Sequence, residues 1–339
     1  MNTGNTILLA HGSGGRKTRE LIRSVFRPCF TDSRLVAETD SAILDSEAGK
    51  LAFTTDAFVV DPIFFPGGDI GKLSVCGTLN DLAVSGAQPL WIAASFILEE
   101  GLEISDLENI ARSMAKEADQ NNTALVAADT KVVPRGKGDK VYITTTGIGR
   151  IMNGFDGVAS GSGIRPGDRV IVSGTVGDHG ASIFTARLTE PVLTPILSDC
   201  ASVFPMIEML KPFSDQIRFM RDPTRGGIAT VLCEVTEKRN WGIRLEEVLM
   251  PVDDKVSGIC RLSGLDPLYL ACEGRVVFVA SAEAAGEIVS RLKSCQDGKN
   301  ACMIGTITVE NPGRVIMETL IGGTRLISML SGDPLPRIC

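Results

Sequence analysis

Four stretches of the chain alternate apolar and polar side chains with period two: "LAFTTDAFVV" (51–60), "PLWIAASFIL" (89–98), "TALVAADTKVV" (123–133) and "KVYITTTGIGRI" (140–151). That period sends successive side chains to opposite faces and reads as strand. Interleaved with them, "IGKLSVCGTLNDLAVSGA" (70–87) and "SDLENIARSMAKEADQNN" (105–122) carry helical spacing. The second helix is expected to start on Ser105 as N-cap, with Glu108 three residues on completing a capping box. A sheet and helices drawn from one segment must bury their apolar faces on each other, so a layered α/β (α+β) fold is expected.

The glycine-rich run "MNGFDGVASGSGIRPGD" (152–168) breaks the pattern and marks a boundary. Beyond it, strand "DRVIVSGTVG" leads into a helix from 178, and Thr224 is expected to cap a helix in "RGGIATVLCEVTEKRN". Strand "GIRLEEVLM", a helix near 253–264, strand "RVVFVAS", a helix near 282–294 and strands near 301–309 and 314–319 follow. The expected domains are 1–153 and 154–331, with 332–339 as a flexible tail that adds little to either core. A chain of 339 residues can give each domain a core, and with aromatics at 5% those cores must rest on Val, Ile, Leu and Ala.

No apolar run approaches the roughly 18 residues of a membrane span, and "MNTGNTILLAHGSGG" lacks the basic flank of a signal peptide. The nine cysteines are odd in number and scattered, with no CxxC pair, which argues against a disulfide framework or a zinc–thiolate site. A reducing cytoplasm is the expected compartment. The formal charge of −7 argues against nucleic acid, so any anionic ligand must be held by local groups.

Asp56, Asp81, Asp129 and Asp222 fall where strands end or helices begin, and Asp56 and Asp129 interrupt apolar strand patterns. Each taken alone reads as a cap, a turn or an ion pair. Together they suit Mg²⁺, which takes a few carboxylates alongside phosphate oxygens and water. "HGSGGRKT" (11–18) and "DPTRGGIAT" (222–230) offer glycine-rich backbone N–H groups, the second at a helix N-terminus, where an anion is favoured. "GGDIGKLS" (67–74) fails as a P-loop, because its glycines are too close and Leu follows Lys72. Lys131 lies two residues from Asp129 on one strand face, as an ion pair or as a working cation. Glu273 in "LACEGRVVF" is acidic among apolar neighbours, either a solvated strand-end acid or a base with a raised pKa. His11 and His179 have no ligand partner at useful spacing.

"LAHGSGGR", "TTDAFVV", "GDIGKLSVCGTLNDLAVSGAQP", "AADTKVV", "RDPTRGGIATVL", "ACEGRV" and the final "PRIC" run nearly end to end through the chain. In these motifs it resembles the HypE (hydrogenase expression/formation protein E) family, within the aminoimidazole ribonucleotide synthetase-like superfamily. The resemblance implies a two-domain fold whose N-terminal sheets pair in a homodimer, with the nucleotide near that interface. It implies a carbamoyl dehydratase: a partner carbamoyltransferase loads a carbamoyl group on Cys339, ATP drives its dehydration to S-cyanocysteine, and an iron-scaffold complex accepts the cyanide for [NiFe]-hydrogenase. It further implies nucleotide binding by Gly12, Gly14, Gly15, Lys72, Asn80, Thr224, Arg225, Gly226 and Gly227. Mg²⁺ would sit on the four aspartates. Glu273 is the first candidate base, and Lys131 serves the γ-phosphate or proton transfer.

Pro334 and Pro336 prevent helix formation before Cys339, and eight extended residues reach roughly 26 Å, enough for a swinging arm. A selenophosphate synthetase usually carries Cys or selenocysteine in its first glycine loop, which "HGSGGR" lacks, and a purine-pathway synthetase needs no terminal thiol. A non-catalytic scaffold presenting Cys339 would show no ATP turnover linked to loss of water.

Overall fold

The computed structural model describes residues 15–21, 42–46, 49–189, 194–330, 332, 335 and 337–339. Gly12, Gly14, His11, Cys29, Pro334 and Pro336 lie outside the described residues. The N-terminal part holds α1 (Arg16–Leu21), β1 (Ala42–Ser46), β2 (Gly49–Phe58), a small hairpin of β3 (Phe64–Phe65) and β4 (Gly68–Asp69), α2 (Ile70–Val84), β5 (Ala87–Glu99), α3 (Ile104–Gln120), β6 (Ala124–Val133) and β7 (Val141–Ile151). Its sheet runs β1-β2-β7-β5-β6, antiparallel except for the β5–β6 pair, which α3 connects as a crossover.

The C-terminal part holds β8 (Arg169–Val172), α4 (Asp178–Ala186), α5 (Phe204–Glu208), β9 (Ile217–Arg221), α6 (Gly227–Thr236), β10 (Gly242–Glu246), α7 (Asp254–Ser263), β11 (Val277–Ala280), α8 (Ala282–Lys293), β12 (Cys302–Thr308), β13 (Val315–Glu318) and β14 (Thr324–Ile327). Its sheet runs β14-β13-β10-β12-β8-β11-β9. No helix among the described residues is long and apolar enough to cross a membrane.

The four period-two stretches are strands and both helical stretches are helices. Two caps differ from expectation. Glu103, not Ser105, precedes the first helical residue of α3, because the Glu103 carbonyl accepts the first helical bonds from Asp106 and Leu107. Gly226, not Thr224, precedes α6: the turn needs left-handed backbone at Gly226 (φ 75°) and Gly227 (φ 60°), where Thr224 supplies only its carbonyl, to the Gly227 N–H.

α2 is buried nearly all round, as a helix between two layers must be. Ile70, Leu73, Cys76 and Leu79 pack with Phe58, Ile92 and Ile143 of the sheet and with Ile110 and Met114 of α3. Ala83 and Val84, one turn later, join a cluster of the C-terminal domain around Phe155, Ile207 and Phe278. The tail is not peripheral to the cores, contrary to expectation. Leu335 is 7% exposed and packs with Ala181, Val256 and Leu270, with Ile338 against the same cluster and Cys339 against the N-terminal one.

Candidate active site

The domains meet along α2, and the meeting fixes one carboxylate. Asn80 of α2, fully buried, donates to the carbonyls of Ala201 (3.0 Å) and Glu273 (3.1 Å), and its Oδ1 accepts from the Val203 N–H (2.8 Å). From the other side the Asp199 carboxylate accepts from the Glu273 N–H (3.1 Å) and the Gly274 N–H (3.4 Å), with Arg275 Nε at 3.6 Å. Gly274 is required, because a Cβ there would run into the Asp199 carbonyl. Glu273 is 1% exposed, and its Oε1 has no hydrogen-bond partner among the described residues. Burial, reinforced by the neighbouring acidic groups Cys200, Asp222, Asp199 and Asp56, pushes its pKa well above the ordinary carboxylate value. A buried acceptor left open is costly unless a ligand fills it.

Around Glu273 the structure gathers Asp56 of β2, Asp81 of α2, and Asp222 and Arg225 of the loop between β9 and α6. Thr54 Oγ1 donates to Asp81 Oδ2 (2.7 Å), Arg225 Nη2 lies 3.9 Å from Asp56 Oδ1, and Asp222 is buried. Negative charge at Cys339 first, then at Asp56, Asp81 and Glu273, holds Arg225 in its charged form. Thr224, Gly226 and Gly227 complete the same loop at the N-terminus of α6.

Other expected site residues lie elsewhere. Asp129 is on edge strand β6, paired with Lys131 Nζ (2.7 and 2.9 Å), which pulls its pKa down. Register places Asp129 in a row with Ser95, Thr144 and Ala57, and Asp56 in the adjacent row with Thr145, Ala94 and Ala128. The two carboxylates therefore project from opposite faces, three strands apart, on the order of 14 Å. Among the described residues no three carboxylate, thiolate or imidazole groups converge to hold a metal ion. Lys72 faces Glu117 of α3 at 4.0 Å. The N-terminal amides of α2 near it are taken by Asp69, which accepts from Gly71 (2.7 Å) and Lys72 (3.1 Å), so "GGDIGKLS" is a capped helix start. Asn80 is committed to backbone. Gly15 is buried at the root of the tail, where the next residue, Arg16, donates its N–H to the Leu330 carbonyl (2.9 Å). A cavity of about 380 Å³ lined by Glu99, Glu100, Glu103, Asp106, Arg135 and Lys140 is mostly acidic and poorly suited to a triphosphate.

Cys339 is drawn to this seam by backbone pairing. The Val59 N–H donates to the Cys339 carbonyl and the Asp61 N–H to the Arg337 carbonyl, each at 3.2 Å, so the tail runs beside the chain leaving β2. Arg187 also donates to the Arg337 carbonyl and, through Nε, to that of Asp61 (2.7 Å). Arg337 pairs with Asp61 and Asp139.

Family models described as AIR synthase related protein, N-terminal domain and C-terminal domain, match residues 38–151 and 165–318. The chain is 46% identical to the carbamoyl dehydratase HypE of Rhodobacter capsulatus over 336 residues, 98% of either chain. It belongs to the carbamoyl dehydratase HypE family. A crystal structure of the hydrogenase maturation protein HypE in complex with ATP superposes with a TM-score of 0.81 at 42% identity, covering 98% of this chain and 100% of that one. The HypE of a HypE–HypF complex matches with a TM-score of 0.85 at 41% identity, over 91% and 99%.

The HypE fold explains which residues sequence reasoning missed. Asp199 holds the backbone of Glu273 and Arg275 braces Asp199, and nothing in their local sequence distinguishes them from ordinary polar residues; Asn80, expected at the nucleotide, holds the Glu273 carbonyl instead. His179 of α4 and Arg187, its C-cap, grip the tail. The only sequence signal for His179 is that it is one of two histidines in the chain.

Proposed function

We propose that this chain is an ATP-dependent carbamoyl dehydratase acting on its own Cys339. The observation that carries this reading is the docking of the Cys339 segment at a seam holding one buried, open carboxylate and one cation. An S-carbamoyl group is R–S–C(=O)–NH2; losing water makes R–S–C≡N, and the oxygen departs once phosphorylated by ATP, giving ADP and phosphate. Each N–H lost from nitrogen needs an acceptor, and Glu273 Oε1 is open to it. A raised pKa makes the ionised Glu273 a stronger proton acceptor than an ordinary carboxylate. Arg225, already stabilised by the surrounding carboxylates, is placed to hold the departing phosphoryl oxygens.

ATP as cosubstrate is supported by the ATP complex of the relative, by the loop 224–227 at the N-terminus of α6, which offers backbone N–H groups to phosphates, and by the glycine-rich sequence of Gly12, Gly14 and Gly15. Mg²⁺ carried on a triphosphate needs one or two protein carboxylates, and Asp56, Asp81 and Asp222 supply candidates. When bound it neutralises phosphate charge. Asp129 does not reach that set within one chain.

The chain acts as a homodimer through the uncovered face of its N-terminal sheet, where Phe53, Trp91 and Ile97 are 39%, 46% and 41% exposed. The Asp129–Lys131 pair lies on this face, so its part in the reaction is exercised towards the second chain. The carbamoyltransferase that loads Cys339 is of the HypF type, as in the complex of the relative, and an iron-scaffold complex takes the cyanide. The scattered cysteines, none in a disulfide among the described residues, suit work in the cytoplasm.

Mass spectrometry of the Cys339 peptide after incubation with the carbamoyltransferase, carbamoyl phosphate and ATP tests the reading. A carbamoyl increment should appear without ATP and convert to a cyano increment with it. Cys339→Ser should show neither, and an increment on another cysteine would overturn the assignment.

A further inference from the structure

The contacts around His179 fix its tautomer. Nε2 lies 2.6 Å from the Ile338 carbonyl, a group that only accepts, so Nε2 carries the hydrogen. Nδ1 is then the acceptor, 2.7 Å from Ser198 Oγ. Ser198 Oγ itself accepts from the Cys200 N–H (3.0 Å), which leaves the hydroxyl hydrogen for Nδ1. The ring is fully buried and meets the edge of Phe65, with centroids 5.4 Å apart.

The residues that follow Ser198 carry the other half. Asp199 accepts from the Glu273 N–H (3.1 Å), and the Ala201 N–H donates to the Glu273 carbonyl (3.4 Å). One short segment, 198–201, therefore sets both the imidazole that meets the tail and the loop that carries the base. Ser198 is tied in turn to the N-terminal domain, its N–H donating to the Pro66 carbonyl (2.8 Å).

We propose that His179 is a positioning residue: as a neutral imidazole it latches the Ile338 carbonyl and, through Ser198, places Cys339 in register with Glu273. Leu335 and Ile338 supply apolar adhesion without direction, the Val59 and Asp61 N–H groups and Arg187 hold the carbonyls of Cys339 and Arg337, and the side-chain bond to the intervening Ile338 carbonyl is that from His179. Releasing this bond leaves the end of the tail on the backbone bonds from Val59 and Asp61 and on Arg187, and so raises the fraction of time the thiol is open to a partner. The catalytic consequence rests on the reading of Cys339 and Glu273 given above; the latch itself does not.

The test uses the full chain with His179→Asn and His179→Gln. The Asn amide reproduces the position of Nδ1 and keeps the Ser198 contact, but cannot reach Ile338. The Gln amide extends to the position of Nε2 and keeps the donor to Ile338. Cys339 is alkylated with iodoacetamide, without ATP or carbamoyl phosphate, and its rate is followed by peptide mass mapping. H179N should alkylate about fivefold faster than the parent, the population change one hydrogen bond commands, and H179Q within about twofold of it. Single-turnover dehydration of the carbamoylated protein should slow in H179N and be largely restored in H179Q. Equal alkylation in H179N and parent, or equal acceleration in both variants, overturns the latch. Should H179N not fold, Ser198→Ala at the half-buried neighbour is the second variant: it should accelerate alkylation about twofold, and no change overturns the proposal. Faster alkylation together with a parent that never dehydrates would leave the latch standing and sink the dehydratase reading.

Discussion

The two sheets of this molecule bury themselves differently. In the C-terminal sheet, alternate residues of one strand go to two different cores. Val170 and Val172 pack with Phe219, Ile228 and Leu232, while Ile171 packs with Ile207 and Ile288; Val277 and Val279 separate from Phe278 and Ala280 in the same way. Both faces are covered, and "RVIV" and "VFVA" read as unbroken apolar runs. Among the described residues the N-terminal sheet has helices, α2 and α3, on one face only. Its β2 alternates buried and exposed residues, yet the exposed set includes Phe53 in line with Ile148 and Trp91. Large apolar groups on the open side of an alternating strand are what a docking face presents. Burial alone completes the first sheet; the second keeps an apolar face open among the described residues, the face assigned above to the proposed homodimer.

The largest expected effect lies at the seam between these regions. Glu273→Gln should lower dehydration by about 10²–10⁴-fold while carbamoylated Cys339 accumulates and ATP still binds. The same change should stabilise the fold as pH rises. A buried acid with a raised pKa holds its proton in the folded state above 4.5, where the unfolded state has released it, so the parent loses stability with rising pH through that window. Denaturant midpoints of parent and variant that stay parallel from pH 5 to 8 would contradict the burial of this carboxyl.

Next in size is the contrast of the sheets themselves. Phe278→Ala should cost about 3–5 kcal/mol in urea unfolding, because both sides of that strand are packed. Phe53→Ala should cost under about 1 kcal/mol in dilute monomer. Comparable losses would erase the distinction drawn here. Trp91→Glu should leave the monomer folded and raise the dimer dissociation constant by at least about thirtyfold, read by light scattering across a dilution series.

The smallest effect is the pH response of the docked tail. Burial pushes the His179 pKa from 6.5 down to about 4, and Arg187 adds to this, against the Ile338 carbonyl, which favours the cation. The groups facing the ring are Ser198, Ile338, Phe65 and Arg187. The docked state binds fewer protons between these values, so docking is fully present above 6.5 and weakens as pH falls towards about 4. Cys339 alkylation, divided by that of a free peptide of the same sequence, should rise as pH is lowered from 7 to 5.

Periodicity revealed the four N-terminal strands, α2, α3 and most C-terminal elements, since each is long enough for its pattern to show. β9, α5 and β14 were not seen: they are too short for a period, and unlike the equally short β8 and β11 they carry no run of Val, Ile or Phe to mark them. The caps at Ser105 and Thr224 went astray by two residues each: side-chain preference is weak beside the backbone geometry of the turn.

The sequence by itself determined the residue types the chemistry needs: carboxylates at element ends, glycines at an anion-binding turn, a thiol on a proline-interrupted segment. Local rules act on neighbours in the chain, and these features are local. Only the tertiary structure decided which of them work together. Asp56 and Asp129 look alike in sequence, but the pleat puts them on opposite faces and two intervening strands keep them apart. Asn80 left the nucleotide set for the backbone of Glu273, because α2 is buried between two domains. His179 gained a role through contacts with Ser198 and Ile338, residues 19 and 159 positions away in the chain, a proximity that long-range packing alone creates.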